Sequence, residues 1–156
     1  MPSGTHTLEA TCVVNEAGTG NNQKVIIGQI HGKLPDKPTF TVNYNFPNPK
    51  QVSLTYQLKP DGTTGDANLI LAENVNINDL LHYKVRLTDN GTAVKIHGEV
   101  SINEVPQAIP DDVPLSPTAT WQAATFYFKA GCYYPNIPVS GTAKVTFSSL
   151  SATHAP

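Results

Sequence analysis

Apolar and polar residues alternate with a period of two along most of this chain. Nine stretches read that way: 5–14 (THTLEATCVV), 24–31 (KVIIGQIH), 39–45 (TFTVNYN), 51–58 (QVSLTYQL), 67–72 (ANLILA), 82–88 (HYKVRLT), 92–100 (TAVKIHGEV), 119–133 and 141–152. A two-residue period sends successive side chains to opposite faces, so each stretch predicts a strand with one face toward a core. The connections carry turn chemistry. Asn90-Gly91 in "TDNGTA" predicts a two-residue hairpin turn, and "KPDGTTGD" and "NFPNPKQ" are rich in Pro, Asp, Asn and Gly. Residues 101–118, with four prolines and no sustained period, read as one long loop of the kind that borders a binding cleft. With no internal repeat, the pattern predicts one all-β domain over residues 1–156, an antiparallel sandwich.

Composition sharpens this picture without changing it. The chain holds 13 Pro and 11 Gly among runs of Val, Thr, Ile, Tyr and Phe, which leaves little room for helices. At 156 residues it can bury roughly two thirds of its unfolded surface, enough to fold without a disulfide or metal. A formal net charge of −2 supplies no basic field for nucleic acid. No apolar run reaches the length of about 18 residues that a membrane span needs. The opening MPSGTHTLEA has neither the basic nor the apolar region of a secretory signal. Cys12 and Cys132 are the only cysteines, and each shares parity with apolar neighbours. A disulfide and two buried thiols fit equally well. His6, His82, His97 and His154 assemble no metal constellation and read as ordinary surface or strand-end residues.

Two segments carry candidate chemistry. In "KVIIGQIHG", Gln29 and His31 share a face about 7 Å apart while Ile30 points the other way. A strand end meeting solvent would look the same. In "TFYFKAGCYYPN", Tyr127, Lys129, Gly131 and Tyr133 fall on one face, and Phe128, Ala130 and Cys132 on the other, which reads as core. Aromatic surface, a cation and a glycine suit a groove for an acidic sugar, although a solvated outer face accounts for them too. Trp121 has the parity of Tyr127 and reads as core or rim.

Together, Gln29-Ile30-His31 and Tyr127-Phe128-Lys129-Ala130-Gly131-Cys132-Tyr133 resemble two of the three signature motifs of the family 7 polysaccharide lyases, the alginate lyases: Gln-(Ile/Val)-His and Tyr-Phe-Lys-Ala-Gly-x-Tyr. The flanks "THTLEATCVV", "TATWQ" and "GTAKVTFSSLSATH" extend the resemblance over essentially the whole chain. It implies a jelly-roll, concanavalin-like antiparallel β-sandwich whose concave face forms the substrate groove. It also implies cleavage of a polyuronate, alginate above all, by β-elimination without metal or organic cofactor, in a secreted, monomeric protein. On this likeness Gln29 neutralises the carboxylate, His31 is base or neutraliser, Tyr133 moves protons with Lys129 favouring its phenolate, and Tyr127 and Lys129 bind substrate. The Ile form of the first motif leans toward guluronate-containing blocks. The family's third motif, Arg-(Ser/Thr)-Glu-(Leu/Val)-Arg, is absent, and the only arginine, Arg86, falls in a strand that matches a non-catalytic one. The expectation is therefore a chain lacking an upstream strand. A carbohydrate-binding sandwich without turnover, and a lyase for another polyuronate such as glucuronan, are the alternatives.

Overall fold

The computed structural model describes residues 4–18, 23–32, 38–59, 66–107, 111–117, 126–135 and 141–156. Among these are eleven strands and no helix. They are β1 (Gly4–Ala17), β2 (Gln23–Gly32), β3 (Pro38–Phe46), β4 (Gln51–Gln57), β5 (Asp66–Glu73) and β6 (Leu80–Asp89). β7 (Ala93–Ile102), β8 (Val105–Pro106), β9 (Val113–Pro117), β10 (Phe126–Tyr133) and β11 (Ala143–Ala155) follow. Every pairing is antiparallel. One sheet runs β11-β1-β6-β7, with β8 and β9 both paired to β7, and the other runs β10-β2-β3-β4-β5.

The two sheets face each other across the positions that the alternation selects. β1 contributes Leu8, Ala10, Cys12 and Val14, β6 contributes Leu81, Tyr83, Val85 and Leu87, and β7 contributes Val94, Ile96 and Val100. Opposite them lie Val25, Ile27 and Ile30 of β2, Phe40, Val42 and Tyr44 of β3, and Val52, Leu54 and Tyr56 of β4. Burying each large side chain of this set contributes about 1.5–3 kcal/mol, which holds the layers together.

Two expectations are corrected. Residues 101–118 are not one loop: β8 pairs Val105 with Ile102, and β9 pairs Val113 with Ile96, so this segment extends the first sheet. Backbone hydrogen bonding to the free edge of β7 outweighs the prolines because Pro106, Pro114 and Pro117 sit on strands that pair only to β7, where a missing N–H is tolerated. The hairpin at Asn90-Gly91 also exists, but its two-residue tip is shifted by one position: Asp89 pairs with Val94 and the Asn90 amide donates to the Ala93 carbonyl at 3.3 Å, which leaves Gly91 and Thr92 between them. The Asn90 side chain accepts from the Thr92 and Ala93 amides at 3.0 and 2.9 Å, and Gly91 adopts φ +86°, so Asn90 caps the turn. Trp121 and the start of the 119–133 stretch lie outside the described residues.

One irregularity sets up the site. The register of β2 against β3 shifts between Ile26 and Gly28. Strict alternation would have put Val25, Ile27, Gln29 and His31 on a single face. Instead Ile27 and Gly28 both turn inward: Ile27 is fully buried in the core, and a Cβ on Gly28 would lie 2.6 Å from the Tyr83 hydroxyl and 3.2 Å from Leu8. This bulge reverses parity, so Val25 and Ile27 are core residues while Gln29 and His31 turn to the outer face. The Tyr83 hydroxyl, whose burial pushes its pKa well above the ordinary phenol range and keeps it protonated, crosses between the sheets and donates to the Ile27 carbonyl at 2.9 Å. Gly28→Ala is therefore expected to lower stability by about 1–3 kcal/mol, read as a fall in the urea midpoint, because a buried, hydrogen-bonded tyrosine cannot move aside.

Candidate active site on the five-stranded sheet

The outer face of the β10-β2-β3-β4-β5 sheet is polar. β10 lies beside β2 with Tyr127 opposite His31, Lys129 opposite Gln29, Ala130 opposite Gly28 and Tyr133 opposite Ile26. The two motifs, about a hundred residues apart in sequence, thus become neighbouring strands roughly 4.8 Å apart. Gln29, His31, Lys129, Gly131 and Tyr133 line an open cavity of about 750 Å³. Gln29 is nearly buried at 8% exposure, whereas Tyr133 is 56% exposed.

His31 has two partners at Nδ1. Its Nδ1 lies 2.9 Å from the Gly32 carbonyl oxygen and 3.3 Å from the Tyr127 hydroxyl. A carbonyl can only accept, so Nδ1 carries the proton and donates it, and in the neutral ring Nε2 keeps its lone pair. The His31 and Tyr127 rings are 5.4 Å apart, tilted by 37°. Lys129 Nζ sits 5.0 Å over the Tyr127 ring, a cation–π contact that gives this lysine a definite partner.

Alternate positions along β3 and β4 extend the polar face, and the sequence reading passed over them. Asn43 donates to Thr55 Oγ1 at 2.8 Å, Thr55 donates to Asn68 Oδ1 at 2.6 Å, and Asn45 donates to Ser53 Oγ at 3.1 Å. Asn43 is fully buried, and its Oδ1 has no hydrogen-bond partner among the described residues. Register partners form one row from Lys129 through Gln29, Thr41 and Thr55 to Asn68, across all five strands. That row is about 19 Å long at the usual strand spacing. The signal was present: "TFTVNYN" and "QVSLTYQ" place Thr, Asn and Ser on the face opposite Phe40, Val42, Tyr44 and Leu54.

Two residues fall outside this constellation. Arg86 is on β6 of the other sheet, where it donates to Glu99 at 3.0 Å. Cys132 is not a core residue. It is exposed, because β10 is an edge strand whose register with β2 shifts between Ala130 and Tyr133, and the shift breaks the alternation that would have sent Cys132 inward. Both cysteines are free thiols, which replaces the disulfide and the two-buried-thiol alternatives. Among the described residues no three His, Cys, Asp or Glu side chains gather as metal ligands, and no helix is long and apolar enough to cross a membrane.

The fold and this face define a jelly-roll β-sandwich whose polar sheet face carries the two motifs. Residues 1–154 match the family model described as "Alginate lyase", and the chain belongs to that family. An alginate lyase from Pseudomonas aeruginosa is similar at 24% identity and a TM-score of 0.74, covering 97% of this chain and 65% of its own. Alginate lyase A1-II′, a member of polysaccharide lyase family 7, is similar at 25% identity and a TM-score of 0.72, covering 98% and 63%. A variant of A1-II′ with one histidine and one tyrosine replaced, in complex with substrate (GGMG), gives 24%, 0.73, 98% and 62%. The chain thus spans less than two thirds of the length of each of these structures. No curated protein sequence matches it.

The cysteines offer a direct check of the geometry. Burial pushes the Cys12 thiol up to about 12, so it stays protonated and shielded, while Cys132 is open to solvent. A chromogenic disulfide reagent is expected to titrate one thiol in the native protein and the second only after unfolding.

Proposed function

We propose that this sandwich works as a polysaccharide lyase that cleaves a polyuronate, alginate first, by β-elimination. The observation that carries the reading is the side-by-side placement of Gln29 and His31 on β2 with Lys129 and Tyr133 on β10, all lining one cavity. The substrate complex of the family 7 relative supports an acidic polysaccharide as ligand.

Elimination from a uronate must first remove a weakly acidic proton at C5, beside a carboxylate that resists more negative charge. Donors aimed at that carboxylate stabilise the enolate-like intermediate. Gln29 can donate its amide N–H there, and Lys129, opposite it in register, is the nearest cation on the row. The Nε2 of His31, the unprotonated ring nitrogen, takes the C5 proton. The intermediate then collapses: the C5 electron pair forms the C4–C5 double bond, the C4–O bond breaks, and the Tyr133 hydroxyl protonates the leaving oxygen. His31 acts as base or as neutraliser according to the configuration at C5. Partly exposed amides and hydroxyls along β3 to β5, among them Asn45, Thr55 and Asn68, suit successive sugars on either side of the scissile bond. An extracellular place of work fits a substrate that is a polymer too large to enter a cell.

Incubation with alginate should raise ultraviolet absorbance as the conjugated unsaturated uronate accumulates. Tyr133→Phe should lower kcat by about 10²–10⁴-fold with KM little changed, since only a proton donor is lost. Retained polymer binding with no absorbance change in the wild type would replace the lyase with a carbohydrate-binding sandwich. Turnover of glucuronan but not alginate would move the substrate within the same chemistry.

A further inference from the structure

The motif resemblance makes Tyr127 a surface for stacking a sugar ring, but its surroundings describe a different role. Tyr127 is the register partner of His31, and their rings are in contact at 5.4 Å. Its hydroxyl is 3.3 Å from His31 Nδ1, while the Lys129 ammonium stands 5.0 Å over the ring. The tyrosine is thus engaged by a cation over its ring and by an imidazole at its hydroxyl.

We infer that Tyr127 is a positioning residue that acts through His31. The Gly32 carbonyl and the Tyr127 hydroxyl both accept from the same Nδ1–H, and together they fix the imidazole plane and its tautomer. A ring turned over by half a rotation would present carbon to both acceptors and carry Nε2 away from its present position. Two acceptors on one N–H therefore hold the basic nitrogen, and the Lys129 contact holds the tyrosine. Only the kinetic consequence rests on the elimination reading; the tautomer is a property of the folded chain.

The test is Tyr127→Phe, which keeps the ring and its cation–π contact and removes one acceptor. Long-range nitrogen-correlated NMR at a pH where His31 is neutral should show a single Nδ1–H form in the wild type and a mixture with the Nε2–H form in the variant. On alginate the variant should lose about two- to tenfold in kcat with KM nearly constant, the size expected for one hydrogen bond. An unchanged His31 tautomer in Tyr127→Phe overturns the inference, as does a variant that alters KM alone, which is the behaviour of a stacking platform. A wild type without turnover overturns the elimination reading only, and the tautomer signal then decides the role of Tyr127.

Discussion

The hydrogen bond from Tyr83 to the Ile27 carbonyl is the contact on which the arrangement of the site depends. It runs from one sheet to the other through the core, and it ends on the residue where β2 changes face. A buried carbonyl at a bulge would cost about 1–3 kcal/mol if left unsatisfied. The tyrosine supplies the missing donor, and the absent side chain of Gly28 leaves it room. With the bulge so fixed, the apolar first half of β2 can bury while its second half presents Gln29 and His31 outward.

The candidate chemistry is built on strands rather than loops. Gln29 and His31 are carried by an interior strand whose neighbours on both sides are paired, so their backbone positions are set by two ladders. Lys129 and Tyr133 are on the edge strand β10, and they are more exposed. Backbone support is therefore greatest under Gln29 and His31 and less under Lys129 and Tyr133. The polar network from Asn43 to Asn68 continues this support by tying three strands together on the same face.

The opposite sheet has a different character. Its outer face carries ion pairs, among them Arg86 with Glu99 and Glu9 with His82. Partly exposed pairs of this kind contribute about 0–1 kcal/mol each, so they keep that surface soluble without adding much to stability. The only arginine of the chain is spent there, and the cation beside the candidate site is a lysine.

Much of this was legible in the sequence. Period-two alternation located the strands that form the two sheets, because half-buried antiparallel strands have one apolar and one polar face. The spacing within each motif paired Gln29 with His31 and Lys129 with Tyr133, since side chains two or four residues apart on a strand share a face. What the pattern could not supply was the effect of irregularity. A bulge costs one residue and reverses every side chain beyond it, and only the packing of Tyr83 against Gly28 decides that it falls between Ile26 and Gly28. In the same way, "VP" and "VPLSP" form strands only because β7 offers a free edge, and Cys132 is exposed only because its strand lies at the margin of a sheet. Local sequence determined which residues share a face; tertiary contacts across the core determined which face it is.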